Sequence, residues 1–322
     1  MSPPPDVTIS IVNHGRRDAL LSLLRSLEPE LHGPLDAEVV VLDNASEDGS
    51  VDAVQGSHPR VRVIAQGHRA GFGANHNRVI ASTGGRWVLL LSHDAEVSLG
   101  SLASLVEYGD ARPEVGAVAP RIRYPDGRPQ PSAWRFPSPL TAALATPTLA
   151  RVGVVQSTGD GPRRVDWAMG AALLLRREAL DRVGLFDEGF FMYSEETDLL
   201  RRFARAGYET HFLPSVSVVH HDSDLRTELP RERIAEEWRS RHRYWDKHHS
   251  RTGARVAAAL TGAQYAARSA LAAAARRVRP GSYDASFPER MRLHARAAWG
   301  HARGPGLREA AEAWNRRQSE AP

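Results

Sequence analysis

The chain of 322 residues contains no cysteine. This absence excludes disulfides, thiolate metal sites and cysteine nucleophiles, and it is compatible with a reducing compartment. Residues 1–6 are rich in proline and lack the basic and apolar regions of a secretory signal, so we expect a cytoplasmic protein. The Ala-rich segment Arg255–Arg277 contains Thr261, Gly262, Gln264 and Arg268, and these interruptions argue against a transmembrane span.

Charge is unevenly distributed along the chain. There are 42 basic and 38 acidic side chains, a net charge of +4. Residues 251–322 hold 13 Arg against 5 acidic residues, or +8, which leaves −4 for residues 1–250. A basic, Ala-rich tail favours an acidic surface as partner. Because no basic and aromatic nucleic-acid module is recognisable, we predict an anionic membrane surface rather than nucleic acid, with the protein peripheral on the inner face of the cell membrane.

The hydrophobic pattern predicts an α/β fold with strands buried on both faces of a parallel sheet. A helix with an apolar stripe is predicted at Asp18–Leu27 and another at Gly73–Ser82. The alternation of these helices with apolar runs favours an α/β sandwich. Strands are predicted at Val7–Val12, Glu38–Asp43, Val61–Ala65, Trp87–Leu91, Val115–Pro120, Ala171–Leu175, Glu209–Leu213 and Val216–Val219, and further helices at Arg177–Val183 and Glu195–Ala206.

The composition changes after the last predicted strand. Residues 231–249 and 255–277 have helical patterns, so we predict a first domain over residues 1–225 and a basic helical extension over residues 226–322. Within the first domain, Tyr124–Arg128 is a strong turn signal and Ser132–Gly161 is irregular and rich in proline. Long loops on an α/β scaffold often build a site, so we assign Ser132–Gly161 to acceptor recognition.

Polar residues follow several predicted strands, at the end where open α/β sheets bind ligands. Asp43 and Asn44 offer hydrogen-bonding groups to a base or ribose, although the same pair is equally typical of a local turn. Asp94 follows the fourth strand and is suited to Mg²⁺ or Mn²⁺, because hard cations take oxygen ligands. His220 follows the last strand and is a candidate to complete the metal site, although histidine pairs are more often surface or core features.

Two further segments are candidates for chemistry. Arg69 and Gly71 precede a predicted helix start, where small residues allow a diphosphate to approach backbone N–H groups, although a plain loop junction explains them as well. The segment Gly184–Arg202 places five carboxylates around a cluster of aromatic residues. An apolar wall raises the pKa of a nearby carboxylate and suits a proton acceptor, whereas acidic residues that open a helix also complement its dipole.

Taken in order, these segments resemble the inverting glycosyltransferases of family 2, which have the GT-A fold, and within them the bacterial rhamnosyltransferase-like branch. The resemblance covers roughly Val7 to His249. It is carried by the Thr8–Asn13 strand, Asp43-Asn44-Ala45-Ser46 with Asp48-Gly49-Ser50, Gly71-Phe72-Gly73 with Asn77, Leu89–Leu91 entering Asp94, Asp166-Trp167 with Gly170-Ala171, Phe186-Asp187-Glu188, Tyr193-Ser194-Glu195-Glu196 with Asp198-Leu199, and His220.

The resemblance implies a nucleoside-diphosphate-sugar donor, such as dTDP-rhamnose, and a lipid-linked or cell-wall glycan acceptor. It implies donor contacts from Asn13, Asp43, Asn44, Arg69, Gly71, Asn77 and Asp94, and an acceptor side formed by Trp167, Gly170 and Glu195. Asp94 and His220 would hold Mg²⁺ or Mn²⁺ on the leaving diphosphate. Glu196 matches the base that deprotonates the acceptor hydroxyl, which gives inversion in one step.

Two positions depart from the family pattern. Ser92-His93-Asp94 has one acid where the stricter metal motif has two, and Glu195-Glu196 replaces the commoner Glu-Asp, so Glu195 stays open as an alternative base. The altered metal motif keeps alive a second hypothesis, a catalytically silent member that acts as a binding partner in a glycan-assembly complex. A nucleotidyltransferase is disfavoured, because His14-Gly15-Arg16-Arg17 is a poor version of the basic Gly-rich loop that such enzymes carry after the first strand.

Overall fold

The computed structural model describes residues 4–144, 154–221, 231–279, 281–300 and 305–320. The chain divides into two compact units, of which the first comprises Met1–Trp134, Gln156–Gly189 and Glu195–Ser223. The second comprises Arg135–Val155, Phe190–Ser194 and Asp224–Pro322. The domain boundary predicted between residues 225 and 226 lies outside the described residues.

The strands of the first unit, within the described residues, are β1 Val7–Asn13, β2 Ala37–Asn44, β3 Arg62–Gln66, β4 Trp87–Ser92, β5 Ala95–Val97, β6 Val115–Arg123, β7 Ala133–Trp134, β8 Arg163–Val165, β9 Trp167–Ala168, β10 Ala172–Arg176 and β11 Glu209–His220. Nine of them form a mixed sheet in the order β3-β2-β1-β4-β10-β6-β11-β5, with β8 paired to β11. Strands β7 and β9 form a separate pair.

The helices follow the predicted alternation with the strands in the first half of the chain and then dominate its end. They are α1 Arg17–Leu27, α2 Ser50–Ser57, α3 Phe72–Ala81, α4 Ser101–Asp110, α5 Pro139–Leu144, α6 Arg177–Val183, α7 Glu195–Arg205, α8 Arg231–His248, α9 Arg251–Val278, α10 Phe287–Ala298 and α11 Leu307–Ser319, with a short 3₁₀ turn at Glu30–His32.

The four strands β3, β2, β1 and β4 run parallel, which brings their carboxyl ends to one edge of the sheet. Asn13 pairs with Asp43 and Val12 with Ser92 in the strand register. Every residue of β1 except Val12 is buried, as predicted for a strand covered on both faces. The apolar stripe of α1 packs on this core through Leu20, Leu23, Leu24 and Leu27.

Two predictions of irregular or broken structure need correction. The two strands predicted at Glu209–Leu213 and Val216–Val219 are one strand, β11, whose pairing with β6 shifts between Leu213 and Ser217. The segment Ser132–Gly161 is not uniformly irregular, because it contains β7 and α5, and residues 145–153 lie outside the described part. The predicted turn at Tyr124–Arg128 is confirmed, with Gly127 N donating to Tyr124 O at 2.8 Å.

The second unit is helical, and its core is formed by aromatic and small side chains. Phe190, Trp238, Tyr244 and Trp245 are buried there together with alanines of α9 and α10. Helix α9 begins at Arg251, four residues before the predicted start, because the Ser250 side chain caps it by accepting a hydrogen bond from Gly253 N at 3.1 Å. Across the described residues, no helix is both long and apolar enough to cross a membrane.

Candidate functional site

The carboxyl ends of β1 and β2 bring Asn13 and Asp43 into direct contact. Asn13 Nδ2 donates to Asp43 Oδ1 at 3.1 Å and to Ser46 Oγ at 3.2 Å, and both Asn13 and Asp43 are buried. The backbone N–H of Ser46 donates to Asp43 Oδ2 at 2.9 Å, so the local turn contact considered for Asp43 is also present. The side chains therefore form one polar cluster at the edge of the sheet.

One atom of this cluster is left over. Asn13 Oδ1 is buried and accepts no hydrogen bond from any residue that the structure describes. A buried carbonyl oxygen without a donor costs about 1–3 kcal/mol. The cost is relieved if a group from outside the chain donates to it, and this is the chemistry of a ligand-binding position.

Asn44 holds the loop that carries Arg69. Its Nδ2 donates to Ala70 O at 3.1 Å, and its Oδ1 accepts from Ala70 N at 2.8 Å and from Gln66 Nε2 at 2.7 Å. The Arg69 guanidinium lies 3.1 Å from the Glu47 carboxylate. The amide of Asn44 is thus engaged within the chain, and its direct effect is to fix the loop before α3.

Asn77 and Gly73 join α3 to the loop at Phe186. Asn77 Nδ2 donates to Phe186 O and to Glu188 Oε1, both at 2.9 Å, and its Oδ1 accepts from Phe186 N at 2.9 Å. A Cβ at Gly73 would lie 2.8 Å from Phe186 Cβ, so only glycine allows this approach. Asn77 therefore has a structural function in addition to the donor contact that the sequence predicts.

His76 lies behind these residues, in the core of the first unit. Its Nδ1 is 2.7 Å from Ser10 Oγ, and its ring packs edge-on against Phe72 with centroids 4.4 Å apart. Burial lowers the pKa of His76 to about 3, so the ring is neutral at physiological pH. His76 supports the strand edge without adding charge.

Of the predicted acceptor-side residues, Gly170 lies next to the end of β4. A Cβ at Gly170 would lie 2.9 Å from the Phe72 ring, and Ser92 N donates to Ala171 O at 2.8 Å. Gly170 therefore adjoins both the start of α3 and the strand that enters Asp94. The Trp167 ring stacks on Trp134 with centroids 4.7 Å apart.

Asp94 and His220, far apart in the sequence, meet directly. His220 Nε2 lies 3.3 Å from Asp94 Oδ1, and His220 Nδ1 lies 3.2 Å from Gln130 Oε1. The pairing of β5 with β11 and a hydrogen bond from His221 N to Asp94 O at 3.0 Å hold the two residues together. Ser92 Oγ also donates to Asp94 Oδ1.

The groups around Asp94 hold its carboxylate in the ionised form. Burial by itself would raise the pKa of Asp94, but the hydrogen bond and charge of His220 and the hydrogen bond from Ser92 hold that pKa well below its usual range. An ionised carboxylate beside an imidazole offers the oxygen and nitrogen ligand atoms that divalent cations take.

The described residues do not form a complete set of metal ligands. Among the described residues no cluster of three or more His, Cys, Asp or Glu side chains could hold a metal ion. One carboxylate oxygen and one imidazole nitrogen nevertheless fit the donor set of a divalent cation whose remaining ligands are phosphate oxygens and water. His93 is not grouped with them as a ligand, and burial lowers the pKa of its ring.

Glu195 and Glu196 open α7 directly after a strained turn. Tyr193 and Ser194 both have left-handed backbone, with φ of 70° and 65°. Such conformations are unfavourable for residues other than glycine and occur where a site demands them. Glu195 is only 3 % exposed and adjoins Gly73, whereas Glu196 is partly exposed. The alternative interpretation, in which acidic residues complement the helix dipole, also fits, because three acidic residues lie in the first turn of α7.

Two residues of the acidic and aromatic segment have structural functions. Asp198 is buried and pairs with Arg202 at 2.9 Å, and Arg202 also donates to the carbonyls of Val183, Gly184 and Leu185. Phe190 lies in the core of the second unit. Helix α7 packs against β9 and α3, the elements that carry Trp167 and Asn77.

Sequence reasoning missed Gln130, Ser46 and Ser92. Ser46 and Ser92 stand within the quoted motifs, and their spacing of two or three residues from Asp43 and Asp94 could have indicated side-chain contacts. Gln130 contacts His220 across a long stretch of sequence, and no local pattern marks it.

The family model for glycosyl transferase family 2 matches residues 8–184, more than half of the chain. The chain belongs to this family. An N-acetylglucosaminyl-diphospho-decaprenol L-rhamnosyltransferase from Mycobacterium tuberculosis is 32 % identical over 231 residues, which cover 66 % of this chain and 75 % of that protein. The family 2 member is therefore a glycosyltransferase, as predicted, and no observation favours the catalytically silent alternative.

Solved structures agree with this family assignment at the level of the fold. A mannosyltransferase from Pyrobaculum calidifontis, PcManGT, in complex with GDP-Man and Mn²⁺, aligns with a TM-score of 0.52 and 19 % identity over 100 % of this chain and 77 % of that one. GalNAc-T7 with UDP, GalNAc and Mn²⁺ aligns with a TM-score of 0.57 and 16 % identity over 98 % of this chain and 58 % of that one. The predicted α/β fold of the GT-A type is confirmed.

Proposed function

We propose that this family 2 glycosyltransferase transfers rhamnose, with inversion, from a nucleoside-diphosphate donor of the dTDP-rhamnose type to a hydroxyl of a lipid-linked or cell-wall glycan. The name of the relative from Mycobacterium tuberculosis supports both the sugar and the class of acceptor. The observation that carries the proposal is the strand edge, where Asn13, Asp43 and Asp94 lie at or just beyond the carboxyl ends of adjacent parallel strands and His220 contacts Asp94.

The donor nucleotide would bind at the edge of β1 and β2. The buried Asn13 Oδ1 suits a base N–H donor, and Asp43 beside it suits a base or a ribose hydroxyl. Asn44 would position the loop of Arg69, whose guanidinium offsets diphosphate charge near Gly71 and the start of α3. Asn77, which also lies on α3, would contact the donor.

Asp94 and His220 would hold a divalent cation, Mg²⁺ or Mn²⁺. The Asp94 carboxylate and the His220 imidazole lie 3.3 Å apart and both offer ligand atoms for such an ion, which supports the assignment. Mn²⁺ in the solved structures of PcManGT and GalNAc-T7 supports divalent metal use in proteins of this fold. When bound, such an ion offsets the negative charge on the departing nucleoside diphosphate.

Glu196 would take the proton of the acceptor hydroxyl as its oxygen attacks the anomeric carbon. The new carbon–oxygen bond forms on the face opposite the diphosphate, the bond to the diphosphate breaks, and the configuration inverts. Glu196 is preferred over Glu195 because it matches the position of the family's base and is the more exposed of the two residues, although one carboxylate oxygen of each is buried. Glu195, Gly170 and Trp167 would form the acceptor side, with the Trp167–Trp134 stack as a rigid surface for a sugar ring.

The proposal is tested by comparing Glu196→Gln with Glu195→Gln. We expect Glu196→Gln to lower kcat by about 10²–10⁴-fold, the usual contribution of a general base, because the amide cannot accept the proton. Donor affinity, measured by calorimetry, is expected to stay unchanged. Glu195→Gln, the matched neighbour, is expected to affect KM for the acceptor more than kcat.

Two outcomes would count against these assignments. Equal turnover of Glu196→Gln and the unmodified protein would remove Glu196 from the mechanism. A large loss of kcat in Glu195→Gln alone would assign the base to Glu195. A donor panel in the same assay tests the sugar, because turnover with UDP-glucose and none with dTDP-rhamnose would contradict the proposed donor.

We also propose that the protein acts at the inner face of the cell membrane, where lipid-linked acceptors are anchored. The excess of 13 Arg over 5 acidic residues in residues 251–322 supports attraction to anionic headgroups.

A further inference from the structure

Helix α9 exposes an unusual amount of apolar surface. Of the eight large hydrophobic side chains that are exposed in the described residues, four lie on this helix. They are Val256 at 43 %, Leu260 at 37 %, Leu271 at 68 % and Val278 at 88 %. Exposed side chains of this kind are normal when scattered singly, but a contiguous group marks an interaction surface.

The four side chains share one face of the helix. At about 100° per residue, they fall with three exposed alanines inside an arc of about 80°. The alanines are Ala263, Ala267 and Ala274. We call these seven residues the α9 stripe, and it runs from the second turn to the end of the 28-residue helix.

The opposite face of α9 already serves the core of the second unit. Ala257, Ser269 and Ala272 are buried, and Ser269 Oγ donates to Pro288 O at 2.7 Å. Gln264 donates to the carbonyl of Ala142 in α5. The fold of the unit therefore does not require the α9 stripe, and its apolar character needs another explanation.

Positive charge flanks the α9 stripe. Helix α9 contains five Arg and no Asp or Glu. Arg255 and Arg277 are exposed on one flank of the stripe. Because an apolar face bordered by cations is typical of helices that lie in the plane of a membrane interface, an anionic bilayer matches this helix in both hydrophobicity and charge.

Aromatic side chains lie beside the stripe. Trp299 is 44 % exposed, its indole occupies the space that a Cβ at Gly262 would need, and its Nε1 donates to Ala259 O at 3.3 Å. Tyr283 is 42 % exposed, and its carbonyl accepts from Arg276 in the last turns of α9. Tryptophan and tyrosine are enriched at headgroup depth because they combine an apolar ring with a polar atom.

We infer that the α9 stripe lies in the headgroup region of an anionic bilayer and anchors the protein as a peripheral membrane protein. The inference deepens the proposed function, on which it rests for the choice of a bilayer that carries lipid-linked acceptors. A second copy of the chain is the competing occupant. It is disfavoured because two stripes in contact would bring Arg255 and Arg277 of both copies together, four like charges with no acidic residue on either helix to offset them.

The test is flotation of the full chain with vesicles of phosphatidylcholine alone or mixed with phosphatidylglycerol, at low and high salt. The stripe variant is Leu260→Gln/Leu271→Gln/Val278→Gln, and the charge variant is Arg255→Gln/Arg277→Gln. The matched control is Leu99→Gln, which replaces a leucine that is 77 % exposed in the first unit. Leu271→Gln and Val278→Gln alone serve if the triple variant folds poorly by circular dichroism.

We expect the unmodified protein and Leu99→Gln to bind the anionic vesicles. The stripe variant is expected to bind them at least about tenfold more weakly, because each lost apolar side chain removes transfer free energy. The charge variant is expected to lose the salt-sensitive part of binding. Unchanged vesicle binding by the stripe variant would overturn the inference. So would a dimer in analytical ultracentrifugation that the stripe substitutions dissociate without affecting vesicle binding.

The result is independent of sugar transfer. Vesicle binding needs neither donor nor metal, so loss of activity with intact flotation would count against the proposed reaction alone. If the stripe variant loses flotation but still transfers sugar to a water-soluble acceptor, the result supports the α9 stripe as the membrane-binding surface and leaves the proposed reaction unchanged.

Discussion

His220 and His221 are neighbours in the chain but have different surroundings. His220 is buried against Asp94 and Gln130, whereas His221 is exposed and lies 3.6 Å from Glu96. Successive side chains of a strand point to opposite faces, and His221 follows the last residue of β11. Only one histidine of the pair therefore faces the candidate metal position.

This difference makes His221 a control for His220. We expect His220→Ala to raise the Mn²⁺ concentration for half-maximal activity by about tenfold or more, because a direct ligand is at least as important as the outer-shell groups whose loss costs that much. His221→Ala is expected to leave it unchanged. The measurement is a Mn²⁺ titration of transfer at saturating donor, and equal effects of the two substitutions would exclude His220 as a specific ligand.

Single residue types could be predicted near the site, but their partners could not. Asn77 was predicted to contact the donor from its place in a motif, and in the structure its amide is engaged by both backbone groups of Phe186. An amide donates and accepts with equal ease, so its type alone does not tell a ligand contact from a tertiary one. Asn77 as a donor-binding residue stays a prediction.

Helix α4 contains a glycine that is required by packing rather than by backbone conformation. A Cβ at Gly109 would lie 2.5 Å from the ring of Trp87. Trp87 is almost fully buried, its Nε1 donates to Asp110 Oδ1 at 2.9 Å, and Arg176 stacks on the ring at 4.4 Å. The indole is thus held on several sides and has no room to move away.

We expect Gly109→Ala to lower the free energy of unfolding by about 1–3 kcal/mol, because overpacking outweighs the better helix propensity of alanine. Gly56→Ala in α2 is the matched control, since nothing lies within 4 Å of its Cβ position. It is expected to be neutral or to stabilise by up to about 1 kcal/mol. Calorimetric unfolding of both variants checks this, and a stabilised Gly109→Ala would show that the indole can yield.

The element boundaries show which signals are local. Strands β1 to β4 and helix α3 begin and end within one residue of their predicted positions, because period and turn residues are short-range properties. Strand β6 continues to Arg123, three residues beyond its predicted end. The continuity of β11 was not predicted, since Pro214 and Ser215 interrupt the pattern. Pairing with β6 and β5 on either side of this irregularity keeps the strand continuous.

The two units of the chain are not consecutive in sequence. The second unit takes Arg135–Val155 and Phe190–Ser194 from within the first. Phe190 explains why Phe190–Ser194 belongs to the second unit, because its side chain is buried in the helical core with Trp238 and Trp245. A composition change near residue 225 predicted a helical extension but not these two insertions, because they are decided by packing at long range.

Donor binding should register on the stability of the whole chain. A ligand at a hundred times its Kd stabilises the native state by about 2.7 kcal/mol. We therefore expect dTDP-rhamnose with Mn²⁺ to raise the Tm, and a chelator to abolish most of the increase if Asp94 and His220 hold the metal. Thermal shift with a panel of nucleotide sugars checks the donor. If the increase in Tm survives chelation, or persists in Asp94→Asn, donor binding does not depend on a metal ion held by Asp94.

The amino-acid sequence alone is enough to predict the α/β alternation, the strand ends that carry Asn13, Asp43 and Asp94, and the basic character of residues 251–322. These features follow from hydrophobic period, turn residues and charge, which are local properties. Long-range packing is needed to bring His220 beside Asp94 and Gln130, to include two earlier segments in the helical core, and to select the exposed face of α9. Alanines occur on every side of α9, so the packing of its neighbours selects which of its apolar surfaces remains exposed.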